Sequence, residues 1–115
     1  VDFDPAVGHE QRGTRRALVV SNETFHRSGM TTVCPITTRS AKYPGEVLIP
    51  AGEAGQTKDG LVLCHQLRTL DLARVTAYEL QGRVQHVGSN IRREVRAALM
   101  HQLGLDLSPA ADSAA

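Results

Sequence analysis

The segment Gly8-His9-Glu10-Gln11-Arg12-Gly13-Thr14-Arg15-Arg16-Ala17-Leu18-Val19-Val20-Ser21 sets the reading of the chain. It opens as a polar loop punctuated by Gly8 and Gly13 and runs into the apolar stretch Ala17–Val20. A short apolar run bounded by turn residues reads as a strand. The loop brings one carboxylate, Glu10, and three guanidiniums, Arg12, Arg15 and Arg16, to the mouth of that strand. Loops held by a rigid strand are where chemistry is usually placed. A guanidinium fork suits phosphate, because it donates two parallel hydrogen bonds. Glu10 offers a proton acceptor beside those cations. The same residues also read as a solvated hairpin loop with an internal ion pair.

Outward from this segment, the first two-thirds of the chain read as short strands. Apolar or alternating runs occur at Val1–Phe3, Ala17–Val20, Met30–Ile36, Glu46–Ile49 and Leu61–His65, with glycines between them as turn punctuation. The opening residues alternate as though already inside a strand, as expected if a few leading residues were lost. Ser21 to Arg27 predicts one helical turn with an Asn or Ser cap, and Leu70 to Arg74 a second short helix. Gly82 to Gln85 predicts a last strand. Towards the C-terminus, Ile91, Val95, Ala98, Leu99 and Leu103 recur at helical spacing, with Arg92, Arg93, Arg96 and His101 largely on the other face. Ser89 or Asn90 can cap this helix and Gly104 can end it. The expected architecture is mainly β with helices (α+β): a twisted antiparallel sheet partly closed into a small barrel, under one amphipathic helix. Residues 1–107 are expected to form a single domain, and residues 108–115 a disordered tail.

Composition narrows the function. The 115 residues are 41% hydrophobic and 22% charged, with a net charge of +1, as in an ordinary globular domain. Aromatics make up 3% and Trp is absent, so stacking of bases on several exposed rings is not expected. Any nucleic-acid site must come from a local cluster such as Arg12, Arg15 and Arg16. Cys34 and Cys64 lie in apolar runs without metal-knuckle or redox spacing, which predicts buried reduced thiols. The five histidines show no ligand pattern, so neither zinc nor another metal is expected. No signal segment and no apolar run near the length of a membrane span is present.

Four polar segments interrupt the apolar pattern. Beyond the opening loop, Thr37 and Thr38 arrive with Arg39 at the end of a strand, where hydroxyls can orient a phosphate or make ordinary strand-end turns. His65 and Gln66 break another strand, and Gln66 offers both donor and acceptor to a base edge; a hydrogen-bonded core amide is the alternative. Lys42-Tyr43-Pro44-Gly45 is a turn. No nucleophile elbow supports a Ser-His-Asp reading, and no Gly-Lys-Ser/Thr follows the glycine loop as a P-loop requires.

Taken in order, these segments resemble the MazF/PemK/Kid family of toxin–antitoxin ribonucleases. Gly8 to Arg16 is similar to the family's Gly-x-Glu-Gln-x-Gly-x-Arg-Pro signature, Cys34-Pro35-Ile36-Thr37-Thr38 to its second signature, Lys42-Tyr43-Pro44-Gly45-Glu46-Val47 to its Gly-Tyr-Pro-Phe-Glu-Val turn, and Gln66 to Asp71 to its Gln-containing segment. Arg16 stands in place of the family's Pro, Gly45 in place of Phe, His26 where Asn is frequent, and His65 where an acid is common.

The resemblance implies an SH3-like β-barrel of the CcdB/PemK type, assembled as a homodimer in the cytoplasm. It implies a sequence-specific endoribonuclease, an mRNA interferase, acting on single-stranded RNA with no cofactor and no metal. The 2′-hydroxyl attacks the neighbouring phosphate, leaving a 2′,3′-cyclic phosphate and a 5′-hydroxyl. Arg15, Thr37 and Glu10 take the catalytic positions. His9, Gln11, Arg12, Thr38, Arg39, His65 and Gln66 take RNA-binding positions. A cognate antitoxin would cover the RNA groove, and any DNA contact would run through the antitoxin. Arg15 stays protonated, so its role is to neutralise charge building on phosphorus, with Thr37 in support; Glu10, then His9, is the candidate base. The alternatives are a CcdB-like binder of a DNA topoisomerase, which lacks the Glu-Gln-x-Gly-x-Arg loop, and an inactive homologue that still binds antitoxin.

Overall fold

A computed structural model of the chain describes residues 1–3, 16–39, 45–75 and 86–105. These residues form five strands, β1 (Ala17–Val19), β2 (Met30–Thr37), β3 (Glu46–Ile49), β4 (Gly60–Leu63) and β5 (Arg68–Asp71), with helices α1 (Glu23–His26) and α2 (Ser89–Gln102). Three single 3₁₀ turns lie at Glu53–Gly55, Cys64–Gln66 and Leu72–Arg74. All strand pairs are antiparallel, in the order β1-β2-β4-β3, with β5 also on β2. Among the described residues the ladder does not return from β3 to β1, so the expected barrel is an open sheet.

The β2 strand organises the molecule. It is eight residues long and rich in the β-branched residues that pack well on a pleated surface. One edge pairs with β1, and the other takes β5 along Met30–Val33 and β4 along Ile36–Thr37. On the β1 side the Ile36 amide donates to the Arg16 carbonyl and the Val20 amide to the Thr32 carbonyl. By alternation the nitrogen of Pro35 faces the other edge. There the 3₁₀ turn Cys64–Gln66 separates β4 from β5, so the missing N–H of Pro35 breaks no ladder bond.

Alternation along β2 also separates two cores. Cys34 packs with Val47, Ile49, Val62, Cys64, Ile91 and Val95, the last two from α2. Its neighbour Val33 packs with Phe3 and Leu70, and successive strand residues face opposite sides. Phe3 is tied down by the adjacent Asp2 amide, which donates to the Arg74 carbonyl at 2.9 Å. Cys34 and Cys64 are free and buried. Their thiols are hydrogen-bonded to each other, and this bond first, then burial, pushes the Cys34 thiol well above its ordinary range.

Local signals explain the helix ends. Asn22 caps α1 through its side chain, accepting from the Phe25 amide at 2.9 Å. Beside it, His26 Nε2 lies 2.8 Å from Ser21 Oγ and 3.2 Å from the buried Thr31 Oγ1, joining the end of β1 to the start of β2. In α2, Gly88 rather than Ser89 or Asn90 holds the N-cap position, with no side-chain cap bond. Gly104 ends α2 at φ 69°: its amide donates to the His101 carbonyl at 3.1 Å and the Leu105 amide to Met100 at 2.7 Å, the paired bonds of a Schellman stop.

Two expectations are corrected. His65 belongs to a 3₁₀ turn, not to the preceding strand, and Arg68–Asp71 is a strand, with only Leu72–Arg74 helical. Pairing to β2 through Leu70 overrides the local helical signal, because Leu70 reaches the core only as part of that ladder. The expected strand at Gly82 to Gln85 and the tail at 108–115 lie outside the described residues.

Candidate functional site

The candidate site forms where β1 enters and β2 leaves the sheet. The register pairs Ala17 with Pro35, and one step further the Ile36 amide donates to the Arg16 carbonyl at 3.0 Å. Thr37 is the next residue of β2, half-buried and paired with Leu61 of β4. Thr38 is exposed and Arg39 partly so. His9, Glu10, Gln11, Arg12 and Arg15 lie outside the described residues, and the site is built here from Arg16, Thr37, Thr38, Arg39, His65 and Gln66.

The turn carrying His65 and Gln66 is an insertion into a strand. From Ile36↔Val62 to Val33↔Arg68, β2 advances three residues while the partner advances six. The excess is taken up at Cys64–Gln66, closed by the Leu67 amide donating to the Cys64 carbonyl at 3.3 Å. Cys64 anchors the turn in the core, while His65 is exposed and Gln66 half-buried. The turn therefore sits beside Cys34 and Pro35, on the order of 10 Å along the same edge from Thr37. Thr37 and the turn share one edge of β2. They remain separate positions.

Arg39 is engaged within the protein. Its guanidinium is ion-paired with Glu46 at the start of β3, with Nη1 3.2 Å from Oε1. The Glu46 side chain is fully buried, whereas that of Arg39 is a quarter exposed. A buried carboxylate depends on such a partner. Arg39→Ala is accordingly expected to destabilise the protein by about 2 kcal/mol, and Glu46→Gln by less, in urea unfolding.

Arg16 is engaged more unexpectedly. Its Nη1 donates to the Gly55 carbonyl at 3.0 Å and to Gln56 Oε1 at 2.8 Å. Gln56 is buried. The sequence alone singles out Arg16 only as a loop cation and gives no role to Gln56 or to the Glu46 carboxylate. The signals are weak: an amide directly after Gly55, and an acid opening a strand. Among the described residues, no group of three or more His, Cys, Asp or Glu is placed to hold a metal, and no helix is long and apolar enough to cross a membrane.

Residues 1–103 match the family model described as PemK-like, MazF-like toxin of type II toxin–antitoxin systems. The chain belongs to this toxin family. It is similar to Endoribonuclease EndoA of Bacillus subtilis, at 33% identity over 107 residues covering 90% of this chain and 88% of the relative. The fold is similar to MazF of Deinococcus radiodurans, with a TM-score of 0.72 and 35% identity over 90% of this chain and 88% of that one. It is also similar to a chain of a MazE–MazF structure from the same organism, with a TM-score of 0.66 and 31% identity over 80% and 87% of the two chains. Within the family frame, the antiparallel sheet with its C-terminal helix is the expected toxin fold, and the strand mouth is where the family signature enters it.

Proposed function

We propose that this toxin is an endoribonuclease that cuts single-stranded RNA within a preferred sequence, acting in the cytoplasm as a homodimer and held inactive by a cognate antitoxin. One observation carries the assignment of the site. The Ile36–Arg16 backbone bond joins the residue that follows Arg15 in the chain to the residue that precedes Thr37, which supports a shared role for the two signature segments. EndoA, the endoribonuclease to which this chain is similar, supports the activity, and the MazE–MazF structure supports an antitoxin partner.

In the proposed reaction the RNA 2′-hydroxyl attacks its own phosphate. The bond to the 5′-oxygen breaks, giving a 2′,3′-cyclic phosphate and a 5′-hydroxyl end. Arg15 neutralises charge on the phosphorane, and the Thr37 hydroxyl donates beside it. Glu10 accepts the 2′-proton, and the departing 5′-oxygen takes a proton from solvent. His9, Gln11, Arg12, Thr38 and Arg39 follow the RNA backbone, while His65 and Gln66 read a base from the 3₁₀ turn. Incubation with a long, structure-poor RNA in the presence of chelator tests the reading. Cleavage with mapped 5′-hydroxyl ends at a recurring sequence is expected; a folded protein that leaves the RNA intact would overturn it.

A further inference from the structure

Arg16 is pinned at two points. Its carbonyl accepts from Ile36, and its guanidinium donates to the Gly55 carbonyl and the Gln56 side chain. The first bond lies one residue before β1, a strand of only three residues. A strand end held by one backbone bond frays readily. The second attachment reaches a loop that is itself well fastened. In that loop the Ala51 amide donates to Asp59 Oδ1 at 2.9 Å, Gly52 to the Gln56 carbonyl at 2.7 Å, and Gln56 to the Glu53 carbonyl at 2.8 Å.

The Gln56 amide is held in turn by close packing at the start of β4. A Cβ built on Gly60 would lie 2.5 Å from Gln56 Nε2 and 2.9 Å from Ile36 Cγ2. Only a glycine leaves room there for both side chains. The result is a closed circuit: Arg16 backbone to Ile36, Ile36 against Gly60, Gly60 under Gln56, and Gln56 back to the Arg16 guanidinium. It ties the open ends of β1, β2 and β4 together one residue away from Thr37.

We propose that Arg16 is a positioning residue, which braces the mouth of β1 against Gln56 and the loop at residues 50–59 and so holds the end of β2 that carries Thr37. The proposal rests on the ribonuclease reading above and deepens it. Ile36, bonded to the Arg16 carbonyl, immediately precedes Thr37, so slack in the brace reaches the Thr37 hydroxyl. The family signature that the chain resembles has Pro at this place, and a proline ring locks φ covalently. Here two side-chain hydrogen bonds do the same work. Arg16 therefore acts through orientation, not by contacting RNA.

The test is a mutant cycle read by cleavage kinetics, salt dependence and amide hydrogen exchange. Arg16→Ala and Gln56→Ala are each expected to lower kcat tenfold to about a hundredfold, the scale of a misplacement near 1 Å, with KM nearly unchanged. The double variant is expected to be no worse than either single one, since both remove the same brace. Arg16→Pro recovers most of the loss although it carries no charge. Exchange at the Ile36 amide is expected to quicken in Arg16→Ala and to return towards the parent rate in Arg16→Pro.

The proposal is overturned if the losses in the cycle add, if Gln56→Ala behaves as the parent, or if Arg16→Ala and Arg16→Pro raise KM alike and flatten its salt dependence. The last result would make Arg16 a phosphate contact. Should Arg16→Ala fail to fold, Gln56→Ala and Arg16→Pro carry the same comparison. A parent that cleaves no RNA would defeat the ribonuclease reading, while exchange at Ile36 would still decide whether the brace exists.

Discussion

Arg15→Ala is expected to slow RNA cleavage by on the order of 10²–10³ with little change in stability. The reason lies in the charge of the reaction. On the proposed mechanism, attack by the 2′-hydroxyl builds negative charge on the phosphorane oxygens, and Arg15 is assigned to neutralise it. Arginine stays protonated far above neutrality, so its loss removes charge stabilisation and leaves proton transfer intact. Arg15→Lys should recover only part of the rate, since an ammonium cannot reproduce the planar fork. Thr37→Val should cost less than Arg15→Ala, because it removes a neutral donor. Single-turnover rates with saturating enzyme measure all three. Equal rates for Arg15→Ala and the parent would remove Arg15 from the reaction and return the site to an RNA-binding surface.

The largest expected loss of stability comes from Ile49→Ala, at about 2–5 kcal/mol in urea unfolding. Ile49 is 1% exposed on β3 and belongs to the cluster that contains Ile91 and Val95 of α2. Truncation there opens a void between sheet and helix, and fixed strand pairing on one side leaves α2 as the element that must collapse into it. Leu48, the next residue in the same strand, is 48% exposed, and Leu48→Ser should change stability by only about 0.5 kcal/mol. If the two substitutions cost the same, the assigned facing of β3 is wrong.

The contrast between Leu48 and Ile49 also marks how much the sequence discloses. Two-residue and 3.6-residue periodicities depend on which side faces the core, so β3 and α2 are legible within a residue or two. Arg68–Asp71 is not, because its character comes from pairing with β2, a partner distant in the chain. The same limit governs the site. Thr37, Thr38, His65 and Gln66 stand out as polar residues in apolar runs, and their order along the chain carries the family resemblance. Nothing local announces that Arg16 reaches Gln56 or that Arg39 is answered by Glu46. Those bonds span 40 and 7 residues, and they exist only once the strands have brought their ends together.

The 3₁₀ turn between β4 and β5 has a consequence for how such a toxin can change its target. Deleting or adding one residue there would slide β5 along β2 and exchange Leu70, now buried, with exposed Thr69, turning the second core inside out. The length of the turn is therefore locked by the fold. Within the turn, His65 is exposed and belongs to neither core cluster. On the proposed reading of this turn, RNA preference changes by substitution at fixed length, without the sheet having to find a new arrangement.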